Sequence, residues 1–218
     1  MSKYKQNNIK PSFCKECGKT FIPFNTMDRY CSMPCRYEGA KKIIEANRKK
    51  KVLQAKREKA KWKREGLDKL KSKRTWEDEL QKEINQIVRL IDGKFRIDGA
   101  RTGKIDAGHY VARGSNATIR YNLHNIHNQS VHSNRWKSGD TIKYQDGLKK
   151  TYGLEYFEMV ESLRQTPPIK LSIETIREKI SIAKAIVREL KELANNYDAK
   201  ERIELRNELN MRIGIYLK

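Results

Sequence analysis

The clearest periodic stretch of the chain lies between Thr75 and Gly93, where Trp76, Leu80, Ile84, Ile87, Val88 and Ile91 recur at helical spacing among polar positions. That spacing puts them on one stripe and predicts an amphipathic helix packed on something else, with Trp76 in the core. Thr75-Trp-Glu-Asp78 resembles a capping box at its start, and Gly93 ends the pattern. A second periodic stretch follows the breaker Pro167-Pro168. Ile173, Ile176, Ile180, Ala183, Val187, Leu190, Ala194 and Tyr197 alternate by threes and fours over about three heptads. Asn195-Asn196 and Asp198 suggest a break, and Ile203, Leu205, Leu209 and Ile213 mark a further helix. Either these two helices fold back on one another or the first pairs across a dimer; a homodimer is the expectation.

Between these stretches the patterns are short. Ile105 to Val111 reads as the end of a strand leading into a turn, and Thr118 to Tyr121 as a second short strand. Asn125 to Gln129 reads as a polar loop, and a helix beginning near Ser130 carries Asn134. Trp136 is expected to pack inward. From Lys41 to Arg74 apolar periodicity fades, and 16 Lys or Arg stand against four acidic residues with only Gly66 interrupting good helix formers. A long solvated helix, broken at Gly66, is predicted there. The chain thus divides into a cysteine module at 1–40, a basic and amphipathic helical connector at 41–93, a core at 94–165 and a C-terminal helical region at 166–218. The fold class expected is mostly α with a small mixed core.

Charge changes the picture. The formal charge is +21 and only 37% of residues are hydrophobic, so the natural partner is a polyanion, nucleic acid first. A membrane surface competes poorly, because the most basic stretch lacks a strong apolar face. No run of about 18 apolar residues exists to span a bilayer. The N-terminal MSKYKQNNIK lacks the apolar segment of a secretory signal, so a cytoplasmic location is expected.

The cysteines read Cys14-x2-Cys17-x13-Cys31-x3-Cys35, two close pairs at structural-zinc spacing. Gly18 permits the tight turn of a knuckle, and Phe13, Phe21, Phe24 and Tyr30 could form a minimal core. Two disulfides are the alternative, but nothing in the sequence points to an oxidising compartment. Four thiolates leave a zinc ion no open position, so chemistry belongs elsewhere.

All four histidines, His109, His124, His127 and His132, fall within 24 residues that also hold Asn125, with Asp106 just before that stretch and Asn134 just after it. Histidine is a general base near neutrality, while Asp and Asn offer oxygen ligands to Mg²⁺ or Mn²⁺. Alone, an Asp-x-x-His is a weak signal. With the downstream Asn-x-His and the helix-borne Asn, in so basic a chain, it points to phosphodiester hydrolysis. Arg113, Arg120, Arg135 and Lys137 are candidate phosphate contacts.

These same residues carry a resemblance. Asp106-Ala-Gly-His-Tyr110, Ile119-Arg-Tyr-Asn122, Asn125-Ile-His-Asn-Gln129, Ser133-Asn134, Lys137-Ser-Gly139 and Leu148…Tyr152-Gly153 resemble the phage NinG (Rap) recombination endonucleases. More distantly they resemble the HNH, or ββα-metal, nucleases of the endonuclease VII type. The likeness covers about 90–160, and the four-cysteine module agrees with it. It implies a ββα-metal core in which Asp106 and Asn134 hold one catalytic divalent ion and His109 is the general base. Asn125 would brace the loop that holds His109, while His127 would support the site or contact phosphate. His124 and His132 are read as surface or loop residues. The implied function is a metal-dependent DNA endonuclease acting on branched recombination intermediates in the bacterial host cytoplasm, with Mg²⁺ or Mn²⁺ at the active site and one structural zinc.

The sequence departs from the family in one respect. The resemblance expects a Cys-x-x-Cys before the Asp-x-Gly-His element and another just before the ligand Asn. Here the later pair is Ser130-Val-His-Ser133, and no cysteine follows Glu38. A non-catalytic zinc-containing DNA-binding protein is the rival reading, and RNA is the rival substrate.

Overall fold

The computed structural model describes residues 10–114, 119–136, 139–167, 169–193 and 196–214, and the chain falls into two units, Met1–Leu70 and Lys71–Lys218. In the first, strands β1 (Ser12–Phe13) and β2 (Thr20–Phe21) pair antiparallel, Ser12 opposite Phe21. The turn between them closes through Gly18 N donating to the Cys14 carbonyl at 2.9 Å, with Gly18 at φ 71°. Helix α1 spans Met33–Lys69 and is capped by the Ser32 hydroxyl, which accepts from Cys35 N. The helix runs unbroken through Gly66, contrary to the expected break: the residues around that glycine are good helix formers and outweigh its cost of about 1 kcal/mol. Only Gly39 of α1 is buried; a Cβ there would lie 2.4 Å from the Tyr30 ring.

The aromatic core expected for the cysteine module does not form. Phe13 and Phe24 are exposed, and the buried residues around the knuckle are Cys14 and Pro23. A unit with so little apolar burial needs another source of stability.

The second unit is built around α2 (Lys73–Asp92) and α5 (Ile173–Glu192), which bury the predicted stripes against each other. Trp76, Leu80, Ile84, Ile87 and Ile91 meet Ile176, Ile180, Ala183, Val187 and Leu190 in one core. The face of α5 that suggested pairing across a dimer is therefore covered within the chain; Ala194 lies outside the described residues. Helix α2 begins one turn earlier than expected: Ser72, not Thr75, is the cap, its hydroxyl accepting from Thr75 N at 3.2 Å. Gly93 ends α2 at φ 55°. Helix α6 (Ala199–Ile213) opens on a full capping box, Asp198 with Glu201.

Strands β3 (Ile105–His109) and β4 (Ile126–Ser130) form an antiparallel hairpin, with Asp106 opposite Gln129 and Gly108 opposite His127. Ile126 and Ala107 join the α2–α5 core. A second cluster gathers Ile97, Tyr110, Val111 and Ile119 with Tyr144 and Leu148 of α3 (Thr141–Tyr152) and Tyr156 and Val160 of α4 (Leu154–Ser162). Two expectations fail here. The segment read as a polar loop is β4, and Ile119–Tyr121 is a 3₁₀ turn rather than a strand, Thr118 lying outside the described residues. After β4, residues His132–Trp136 form a single π-helical turn that carries Asn134.

Every residue of β4 is buried although four of its five are polar. Buried polar groups persist only where partners satisfy them. Asn128 N donates to Asp92 Oδ2 at 2.8 Å, Asn128 Nδ2 to the Gly93 carbonyl at 3.0 Å, and Ser130 N to Asp98 Oδ2 at 3.1 Å. At the centre lies a buried ion pair, Arg206 Nη2 to Asp92 Oδ1 at 2.7 Å, both side chains fully excluded from solvent. Arg206 also donates through Nε to the Leu123 carbonyl at 3.0 Å, which fixes α6 to the turn before β4.

Candidate nuclease cleft and cysteine cluster

A cleft of about 460 Å³ is lined by Asp106, His109, Asn134 and Arg135 from the hairpin and the π-helical turn, by Ala112 and Arg113, and by Asn85 and Arg89 of α2. Three of the predicted site residues thus meet in one place. Three residues apart on a strand, Asp106 and His109 start on opposite faces, yet both line this cleft. Three guanidinium groups against one carboxylate make it a natural seat for an anion. Asn85 and Arg89 escaped the sequence reading. They sit on the polar margin of a helix whose pattern is dominated by its apolar stripe, and only the packing of α2 beside β3 brings them to the site.

His109 Nε2 lies 2.9 Å from the Arg120 carbonyl oxygen. A carbonyl can only accept, so the neutral ring carries its proton on Nε2 and keeps a lone pair on Nδ1. Burial, with the charges of Arg113 and Arg120, pushes the His109 pKa down to about 4, against the opposing pull of that carbonyl. The imidazole is therefore neutral, and basic at Nδ1, across physiological pH. Asn125 holds this arrangement: its Oδ1 accepts from Val111 N at 2.8 Å, and its Nδ2 donates to the Val111 and Ile119 carbonyls, both at 3.1 Å. Those bonds tie the residues just beyond His109 to the turn that presents the Arg120 carbonyl.

Asp106 accepts from Arg135 Nε at 2.7 Å and Nη2 at 3.3 Å, and Asn134 Nδ2 stands 3.4 Å from its Oδ2. A carboxylate and a side-chain amide at this separation can offer oxygens that suit a hard divalent cation. The Arg135 guanidinium supplies the positive charge on Asp106 that such a cation would supply. Among the described residues the only group of three or more His, Cys, Asp or Glu poised for metal is the cysteine cluster, so a cation in this cleft would draw on the Asp106 carboxylate and the Asn134 amide oxygen.

His127 is not at the cleft. It is fully buried, its Nδ1 3.1 Å from the Tyr144 hydroxyl, which donates in turn to the Gly108 carbonyl at 3.0 Å. Phosphate contact by His127 is excluded by that burial; its link to β3 is through Tyr144. His124, expected at the surface, is buried too, between the Tyr156 hydroxyl at 3.0 Å and Asn207 Oδ1 at 2.9 Å. Burial pushes its pKa down to about 4 and that of His127 well below the usual histidine value, the charge of Arg206 adding to both. His132 is exposed, and so is Trp136, which had been expected to pack inward. Arg120 is engaged by Glu77 and Asp78 of α2 rather than free for phosphate, and Lys137 lies outside the described residues.

The serines that replace the second cysteine pair are tied down by Asp98. Its Oδ2 accepts from Ser130 N at 3.1 Å and Ser130 Oγ at 2.5 Å, and Ser133 N donates to Ser130 Oγ at 3.2 Å. Burial raises the Asp98 pKa, but hydrogen bonds from Ser130, Ser133 and Ala100 outweigh it and hold the carboxyl below its usual range. A carboxylate–serine knot thus joins the segment before β3 to the π-helical turn, the two places where the resemblance expects cysteines.

In the first unit the four cysteine sulfurs all lie within 4.8 Å of one another, with Cys17–Cys31 at 3.5 Å and Cys31–Cys35 at 3.7 Å. A zinc–sulfur bond of about 2.3 Å implies tetrahedron edges of about 3.8 Å, so the set fits one zinc ion and no disulfide is present among the cysteines. Burial works against the Cys14 thiolate, but backbone bonds at Cys17, Cys31 and Glu16 prevail and bring its pKa to about 6.

The profile described as Bacteriophage Lambda NinG protein matches residues 5–193 of this chain. The chain belongs to the NinG family. Among curated relatives, Protein ninG of Escherichia phage lambda is 31% identical over 96 residues, covering 43% of this chain and 47% of its own length. Protein ninG of Enterobacteria phage H19B is 30% identical over a stretch of the same length, and that of Salmonella phage P22 29%. The matched stretch spans about half the length of these relatives. No solved structure matches the chain. No described helix is long and apolar enough to cross a membrane.

Proposed function

We propose that this NinG-family protein is a metal-dependent DNA endonuclease of the HNH type that hydrolyses phosphodiester bonds at branched recombination intermediates. The observation that carries the reading is the convergence of Asp106, Asn134 and a neutral His109 in one arginine-lined cleft. His109 Nδ1 takes a proton from water as its oxygen bonds to phosphorus; the P–O3′ bond breaks and the departing O3′ takes a proton from solvent water, leaving a 5′-phosphate and a 3′-hydroxyl. Asp106 and Asn134 would hold Mg²⁺ or Mn²⁺, which when bound supplies Lewis-acid stabilisation of charge on the phosphate. Arg89 and Arg113 neutralise the scissile and neighbouring phosphates, and Asn125 keeps His109 in place. The basic helix α1 contributes sequence-independent attraction to the DNA backbone.

The test is a labelled four-way junction incubated with wild type and His109→Ala in Mg²⁺ or Mn²⁺. Wild type should cut, and the variant should lose about 10²–10⁴-fold in rate. Folded wild type that cuts neither branched nor duplex DNA in either metal refutes the enzyme. A second reading, a DNA-binding protein without catalysis, draws support from the Arg135–Asp106 ion pair, which neutralises the carboxylate without a metal. Binding without cleavage would decide for it, and cleavage of a matched RNA junction instead would reassign the substrate.

A further inference from the structure

Gln129 lies opposite Asp106 in the hairpin and is fully buried. Its Nε2 donates to the Gly139 carbonyl at 2.5 Å, which fixes the orientation of its amide, and its Oε1 is left buried with no donor. A buried acceptor without a donor costs about 1–3 kcal/mol. The same oxygen lies 2.3 Å from where a Cβ on Gly108 would stand, and Asn134 Oδ1 lies 3.3 Å from that point. Glycine at 108 thus makes room for both amides. As placed, Asn134 turns its Nδ2 to Asp106 and its oxygen toward the side where Gln129 is orphaned. Two acceptors share one small space.

Exchanging the oxygen and nitrogen of the Asn134 amide, which are nearly identical in size, resolves the conflict. Nδ2 would then donate to Gln129 Oε1, and Oδ1 would stand beside the Asp106 carboxylate. Two oxygens side by side repel unless a cation lies with them. The orientation that satisfies Gln129 is therefore the one that presents an oxygen pair to a metal. Resting on the metal reading above, we propose that Gln129 is a positioning residue: it fixes the Asn134 amide so that Oδ1, not Nδ2, joins Asp106 as a ligand of the divalent ion. Partners that orient a metal ligand in this way commonly change affinity by about 10–100-fold when removed.

The test is Mn²⁺ binding by the zinc-loaded full chain, read by electron paramagnetic resonance without any substrate. Gln129→Met keeps the unbranched shape and removes the acceptor, and should weaken Mn²⁺ by about 10–100-fold. Gln129→Glu, kept protonated by full burial and by donating its hydroxyl to the Gly139 carbonyl, keeps an acceptor toward Asn134 and should bind within a few-fold of wild type. In an Asn134→Asp background a carboxylate offers oxygen on both sides and needs no orienting, so Gln129→Met should there change Mn²⁺ affinity less than about twofold. Should Gln129→Met bind like wild type, or weaken binding equally in both backgrounds, the positioning role is overturned. If Asp106→Ala binds Mn²⁺ as tightly as wild type, it is the metal reading that fails. If Gln129→Met does not fold, Gln129→Leu, which also lacks the acceptor, takes its place: a loss confined to the Asn134 background upholds the role, and no loss or an equal loss in both backgrounds overturns it.

Discussion

Replacing Asp92 with alanine removes the partner of Arg206, the most deeply buried cation among the described residues. Arg206 has no exposed side-chain surface, and its other contacts are neutral carbonyls: Leu123 at 3.0 Å, Arg202 at 3.4 Å and Ile126 at 3.5 Å. None of them cancels its charge. Breaking a buried pair by removing one member costs about 3–5 kcal/mol. Asn128 N also loses its acceptor, Asp92 Oδ2 at 2.8 Å, which adds about 1–3 kcal/mol. The terms overlap, so about 4–6 kcal/mol is expected, a large part of the 5–15 kcal/mol typical of a domain. Removing both charges in Asp92→Ala with Arg206→Met should be milder than the sum of the single changes by about 3 kcal/mol, because no uncompensated ion remains. Urea unfolding would measure this, followed by the fluorescence of buried Trp76 with the exposed Trp62 and Trp136 replaced by phenylalanine. An Asp92→Ala protein within about 1 kcal/mol of wild type would refute the reasoning, since no uncompensated buried charge could cost so little. Additive single and double changes would refute the coupling.

Three further outcomes follow from the same geometry. His109 and His124 are held to about 4, so the unfolded chain binds two protons that the native chain refuses between about pH 6.5 and 4, and burial of His127 acts in the same direction. The contribution of His109 and His124 is complete above about pH 6.5 and is lost as pH falls toward 4, with a slope near pH 5 of roughly 2–3 kcal/mol per unit; a urea midpoint that is flat from pH 7 to 5 would contradict it. Asp98 titrates below its usual range, so Asp98→Ala should cost about 1.5–3 kcal/mol equally at pH 7 and 5, and a cost that vanishes by pH 5 would show that the serine knot is not held by a carboxylate. Metal analysis should find one zinc per chain, and chelation should expose four thiols to a chromogenic reagent; thiols equally reactive before and after chelation would exclude the zinc.

Several features were legible because they depend on near neighbours in sequence. The stripes of α2 and α5 were readable, since a helix exposes its buried face as a period of three and four residues. The cysteine pairs were readable because tetrahedral ligation constrains local spacing. The cluster of Asp106, His109 and Asn134 was readable from residue chemistry and resemblance together. By contrast, β4 looked like a loop because its polar side chains find partners far along the chain, Asp92 and Asp98 among them. The same blindness hid His124 and His127, whose burial depends on tyrosines of α3 and α4 and on α6. Trp136 failed in the other direction, because a single π-helical turn points a residue where no apolar neighbour covers it.

By itself, then, the sequence determined the helical character, the cysteine cluster, the strong positive charge and the residue types of the cleft, all of which follow from local spacing and composition. Only the tertiary structure decided which polar residues are buried and what satisfies them. Arg206 reaches Asp92 across 114 positions, Asp98 takes the serines where cysteines were expected, and α2 lends Asn85 and Arg89 to the cleft. The physical reason is that a buried charge or amide is stable only through a specific partner, and nothing in the local pattern of a chain names a partner that folding alone brings near.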